Sequence, residues 1–236
     1  MVRVQYKGGV GNRCLQYSAG RILAQKHGLR LEAMRPHEGF ENAHGIDGRE
    51  AGEDYIVYDD TNYRQMLTDG PRQALVYCFA QDLDIYRDHR EEMQTWFWQP
   101  NTTADIHPDD ILVHIRRGDF FIDGHTLKMT WVRELLQRLE YRRLYVIGVV
   151  DQTSHNLLAE FSPNYTDGDP MGDFKLFKAF RRVIISNSTF SWLGAWLSDC
   201  EVWAPVPVSG YFSPSSGQNL RVDDGRYHWI EGVEVE

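Results

Sequence analysis

Long apolar runs are missing from this chain. None of its 236 residues falls in a stretch with the length and apolarity of a membrane-crossing helix. The opening MVRVQYKGGVGN lacks the apolar core of a secretory leader. Cysteine is scarce as well. Cys14, Cys78 and Cys200 are odd in number and widely spaced, which excludes a disulfide framework and a zinc-ligand spacing. Positive charge is in deficit: 25 Lys and Arg stand against 34 Asp and Glu, for a net charge of -9. That balance excludes a general nucleic-acid binder, which needs a basic face to neutralise phosphates. A local basic pocket for one small anion remains compatible with it. These absences predict a soluble, reduced, cytoplasmic protein with no transmembrane segment and no nucleic-acid partner. In that compartment the sequons at Asn101, Asn164 and Asn187 carry no glycan.

What is present is ample core material. With 42% hydrophobic and 13% aromatic residues, the chain can fill one large domain or two small ones. Val2 to Tyr6 reads as a strand, KGGVGN as a turn, and LQYSAGRILAQKHG as a helix stopped by Gly28. Met34 to Asp54 reads as a long loop, Ala74 to Phe79 as a buried strand, and DHREEMQTWFW as a helix. The polar stretch Gln99 to Asp110, with two prolines and no periodicity, marks a boundary. It separates residues 1–103 from 104–236. Beyond it, strands are predicted at Ile111–Ile115, Leu144–Val150, Val183–Ser186 and Val202–Ala204. Helices are predicted at Thr130–Glu140, Asp173–Phe180 and Thr189–Leu197. Strands alternating with helices imply parallel sheets and an α/β fold.

Three loops hold residues suited to chemistry. In the first, Gly8, Gly9 and Gly11 allow close backbone approach to a ligand ahead of a helix start. A tight turn explains the same glycines, and Asn12 equally suits an N-cap. The spacing matches neither a dinucleotide fingerprint nor a phosphate loop. In the second, VHIRRGDF places Arg116 and Arg117 at the carboxyl end of a strand, where parallel sheets bind ligands. A guanidinium stays charged and presents a fork matched to phosphate oxygens. Salt bridges, with Asp119 as one partner, are the alternative. In the third, IISNSTFSWLGAWL runs from a strand through Ser186, Asn187, Ser188 and Thr189 into a helix. Hydroxyls and unpaired N–H groups there suit an anion, while Asn187 or Ser188 also suits a helix cap. Trp192 and Trp196 fit packing better than sugar stacking. The second and third loops together suggest a diphosphate site in the second half.

These motifs resemble the family 11 glycosyltransferases, the α-1,2-fucosyltransferases. GGVGNRCLQYSAGRILA is similar to the family's GGLGNQMFQYAAGRALA, and VHIRRGDF fits its His-x-Arg-Arg-x-Asp motif. IISNSTFSWLGAWL, followed by AP, is similar to its Ser-Asn-Ser-Ser-Phe-Ser-Trp-Trp segment. YCFAQDLDIY and YHWI add weaker likeness. The chain departs at Arg13, Cys14 and Leu15, at Leu193, and at VIGVVDQ, where the family has Phe-Ser-Asp-Asp. It is also shorter, chiefly in the first half.

The resemblance implies two Rossmann-like domains facing a cleft, the GT-B arrangement, with acceptor on residues 1–103 and donor on 104–236. It implies an inverting transfer of L-fucose from GDP-β-L-fucose to a glycan hydroxyl, α-1,2 to galactose, with no cofactor and no divalent metal. Arg116 then contacts the β-phosphate and His114 lies beside the nucleotide. Ser186, Asn187, Ser188, Thr189 and Phe190 form the donor cradle, with Gly9, Gly11 and Arg117 on the donor side, though Arg117 fits better as a brace for its loop through Asp119. Asn12 and Asp119 join Arg116 in the catalytic group. The base is open among Asp119, His37 and His44. Asp173 is expected to read guanine through its two carboxylate oxygens, with helix capping as the alternative and Asp167 and Asp169 as rivals. Asp82-Leu83-Asp84, the one candidate metal pair, reads as a solvated turn. A transferase for another nucleotide sugar, or a non-catalytic GDP-sugar- or glycan-binding protein, is the competing reading.

Overall fold

The structure is a computed structural model that describes residues 1–49, 55–97, 106–118, 124–166, 169–209 and 212–236. Asp119, Asp167 and the expected boundary at 103/104 lie outside the described residues. The chain divides into two compact units, Met1–Gln99 and Pro100–Glu236.

In the first unit, β1 (Val2–Val4) leads to α1 (Val10–His27), followed by β2 (Leu31–Glu32), β3 (Tyr55–Tyr58) and β4 (Gln73–Val76). The four strands are all parallel, in the order β2-β1-β4-β3. Two short helices follow, α2 (Leu83–Tyr86) and α3 (Arg90–Phe97). The strand expected over Val2–Tyr6 ends at Val4, and α1 begins earlier than its apolar periodicity suggested. Gly9 is its N-cap, so Gly11 and Asn12 lie in the first helical turn and Asn12 does not cap. Gly28, at φ +61°, ends α1 in the left-handed conformation as expected. Gly20 lets α1 settle onto β1, because a Cβ there would stand 2.4 Å from Val4 Cγ2.

The second unit runs β5 (Ile111–Arg116), α4 (Thr130–Arg138), β6 (Leu144–Val149), α5 (Gln152–Leu158), β7 (Asn164–Tyr165), α6 (Pro170–Ala179), β8 (Arg182–Ile184), α7 (Thr189–Leu197), β9 (Glu201–Pro207) and β10 (Tyr227–Val233). Its six parallel strands stand in the order β10-β9-β8-β5-β6-β7. From β5 the chain winds outward through β6 and β7, then returns to the other side of β5 for β8, β9 and β10. This is the doubly wound order, and the winding reverses between β5 and β8. β5 is buried along its apolar length, as a strand covered on both faces must be. The core beneath one face gathers Ile111, Val113, Ile115, Val132, Leu136, Val146 and Ile184.

β9 is longer than the expected Val202–Ala204, despite Pro205 and Pro207. Val202 and Val208 donate to Arg226 and Val233 on the β10 side. The two prolines, at alternate positions, therefore turn their missing donors toward β8, which has already ended at Ile184. α5 and the edge strand β10 were not assigned from sequence. α5 is short and polar, and only its Asp151 cap, which accepts from Ser154 N, marks its start.

Candidate active site

The reversal point of the second sheet brings two distant motifs together. His114, near the end of β5, places Nδ1 2.9 Å from Ser186 Oγ, just beyond β8. Ser191 Oγ donates to the carbonyls of Ser186 and Ser188 at 3.3 and 3.1 Å. Ser188 is the N-cap of α7 and accepts from Phe190 N at 3.3 Å. Asn187 is 2% exposed; its Nδ2 donates to His125 O at 2.8 Å. Asn187 Oδ1 is buried and has no hydrogen-bond partner among the described residues. Thr189 and Phe190 are half-buried at the helix start, and the Phe190 ring lies 5.6 Å from that of His114. The expected cradle residues thus lie together at the N-terminus of α7, at the positive end of its dipole, with Ser186, Asn187 and Ser188 buried. Trp192 and Trp196 stack on each other inside the core, in keeping with packing.

His114 is 5% exposed. Burial, and after it the charge of Arg116, lowers its pKa to about 3. It is therefore a neutral hydrogen-bonding ring near pH 7. The unfolded chain, with an ordinary histidine, takes up a proton below about 6.5 that the folded chain refuses until about 3. Stability is full above the upper value and falls as pH drops through that window. His114→Gln should reduce this acid slope by at most about 1.4 kcal/mol per pH unit. Denaturant midpoints measured from pH 7 to 4 check it; an unchanged slope would show that His114 titrates normally.

Arg116 and Arg117 part company at the strand end. Arg116 is half-buried and pairs in register with the exposed Val149 of β6. Arg117 is only 3% exposed and bound on three sides. It meets Asp151 at 2.8 Å, Glu236 at 2.9 Å and Leu127 O at 3.2 Å. Its guanidinium, expected to brace the loop through Asp119 or to touch phosphate, is turned into the protein onto Asp151 and Glu236. Burial works to raise the Asp151 carboxyl, but bonds from Ser154 and Arg117 outweigh it and hold the group below the usual carboxylate range.

Asp173 is neither a cap nor an open carboxylate. Asp169 caps α6, accepting from Met171 N and Gly172 N at 3.2 and 2.9 Å. Asp173 sits in the first turn of α6, 4% exposed. Its Oδ2 accepts from Gly148 N at 3.0 Å and its Oδ1 from Thr166 Oγ1 at 2.7 Å. It ties α6 to the carboxyl ends of β6 and β7. Any guanine contact must compete with these bonds.

In the first unit, Gly8 takes φ +78°, and a Cβ on it would meet Asn12 Nδ2 at 2.5 Å. Asn12 folds back over that glycine and accepts from Gln81 Nε2 at 2.9 Å. Gly9 has open space around its Cβ position, and Gly11 is buried in α1. His37 Nδ1 accepts from Gly39 N at 3.1 Å, and His44 Nδ1 lies 2.8 Å from Gly45 O. Both rings are tied to their own loop. Asp82 corrects the solvated-turn expectation: it is buried, caps α2, and pairs with Arg64 at 2.5 Å. Gln81 was missed as a partner of Asn12, since no sequence pattern joins positions that far apart.

Two α/β units with parallel sheets have a counterpart among solved structures. The chain matches E. coli heptosyltransferase WaaC with ADP at a TM-score of 0.54, over 98% of this chain and 92% of that one. The two share a fold. Sequence identity is 9%, so the likeness speaks for the architecture alone, the two α/β units with parallel sheets expected above. No family model and no curated protein matches the sequence. Among the described residues, no helix is long and apolar enough to cross a membrane.

Proposed function

We propose that the protein is an inverting glycosyltransferase that moves L-fucose from GDP-β-L-fucose to a glycan hydroxyl, α-1,2 to galactose. The observation that carries the reading is the contact of His114 with Ser186 across 72 positions of chain. It joins the two motifs most similar to the fucosyltransferase family at a sheet reversal, where nucleotides bind in doubly wound folds. The fold shared with a heptosyltransferase solved with ADP supports a nucleotide-sugar donor.

In this reading GDP lies on the second unit and acceptor on the first. As the bond from sugar to diphosphate breaks, GDP gains negative charge. Arg116 and the start of α7 meet that charge with groups already in place, which is where preorganised donors act most strongly. Ser186, Asn187 and Ser188 line the cradle, and Thr189 and Phe190 open the helix behind it. The acceptor hydroxyl attacks the anomeric carbon from the opposite side, giving its proton to a base. Arg117 and His114 hold the strand ends. Asn12, fixed by Gln81, stands at the first unit's loop.

Incubating the protein with GDP-fucose and a panel of galactosides, following GDP release and product mass, tests the proposal. GDP release with a mass gain of one fucose is expected. Turnover of another nucleotide sugar alone would reassign the donor, and binding with no turnover would leave a glycan- or nucleotide-binding protein. Because Arg116 and the helix dipole carry the leaving-group charge, activity should survive excess chelator. Loss on chelation, with return only on adding magnesium or manganese, would show that a metal carries it.

A further inference from the structure

The first sheet has a reversal point of its own, between β1 and β4. Lys7 follows β1, Asp60 follows β3, and Tyr77 and Phe79 follow β4. Lys7 Nζ lies 4.6 Å from the centroid of each of these two rings. It also stands 2.5 Å from Asp60 Oδ2, while Asp60 Oδ1 accepts from Phe79 N at 2.7 Å. Ala80 bends the chain at φ +50°, a conformation that a side chain disfavours, and Tyr86 OH holds its carbonyl at 2.6 Å. That turn sets Phe79 on one side and Gln81, with its bond to Asn12, on the other.

We infer that this cluster is a subsite for a neutral pyranose ring. Tyr77 is 40% exposed, an amphipathic ring held in place from within by the ammonium. The apolar C–H face of a sugar can lie on such a ring, while the exposed Asp60 carboxylate and the amides beside it take hydroxyls. Charge decides against an anion. Lys7 is matched by Asp60, and the neighbouring Arg13 gives its Nε to Gly8 O at 3.1 Å. Tyr77 and Asp60 are thus the specificity-determining residues. That the sugar is an acceptor rests on the proposed glycosyl transfer; that a sugar binds does not.

The test titrates the full chain, without donor, with methyl galactoside, glucoside, mannoside and xyloside and with lactose, by calorimetry and saturation-transfer NMR. At least one should bind. Tyr77→Ala should weaken that binding about tenfold, and Tyr77→Phe should retain it. Circular dichroism confirms that both variants fold. Where GDP-fucose turns over, Tyr77→Ala should raise the acceptor KM by a similar factor and leave the donor KM unchanged. The subsite is overturned if no sugar of the panel binds, if Tyr77→Ala binds as tightly as the parent, or if inorganic phosphate displaces the sugar. Sugar binding that depends on Tyr77, without turnover, upholds the subsite and removes only the transfer reading.

Discussion

Arg116→Ala should nearly abolish transfer while the protein stays folded. Arg116 stands half-buried at the end of β5, beside the His114–Ser186 contact. In the proposed reaction its contact strengthens as GDP departs, so the loss falls on the transition state. Removing one preorganised donor of this kind costs on the order of 3 kcal/mol, about a hundredfold in kcat. GDP affinity should fall less than kcat, because ground-state GDP keeps the cradle at α7. Arg116→Lys should recover only part of the rate, since it keeps the charge and loses the planar fork. Initial rates alongside calorimetric GDP titration separate the two effects. Near-normal turnover by a folded Arg116→Ala protein would remove Arg116 from the mechanism.

Gly148→Ala should be the most damaging small substitution in the second unit. Gly148 has φ +93°, outside the range that side chains adopt. A Cβ there would stand 2.3 Å from Ile115 O and 3.0 Å from His114 Nε2. The first of these is backbone of a buried central strand and has nowhere to move. The same residue's N–H donates to Asp173, so any shift also breaks the tie between β6 and α6. Strain and collision together should cost about 2–4 kcal/mol of stability. Gly9→Ser is the control, at an N-cap with open space around its Cβ position. It should stay within about 0.5 kcal/mol of the parent or gain slightly. Urea unfolding of the three proteins decides it; a Gly148→Ala midpoint equal to that of Gly9→Ser would show that the strand end can relax.

Both predictions depend on features of different legibility. The sequence by itself determined the alternation of strands and helices, because apolar periodicity and glycine or hydroxyl caps act over a few residues. Gly28 closing α1, Ser188 opening α7 and the buried run of β5 were readable for that reason. It also put Arg116 at a strand end and Ser186 to Phe190 at a helix start. Only the tertiary structure decided which strand lies beside which. β8 pairs with β5 because successive crossovers reverse direction there, and that pairing alone sets His114 against Ser186. Arg117 found Asp151 and Glu236 because a buried guanidinium takes whatever carboxylates packing delivers, near or far in the chain. Asp173 left capping to Asp169 and bonded Gly148 and Thr166, since α6 starts earlier than its apolar pattern showed. Gly148 itself carried no local signal. Its need for a missing side chain arises from a neighbouring strand's carbonyl, and strand neighbours are set by long-range packing, to which local periodicity is blind.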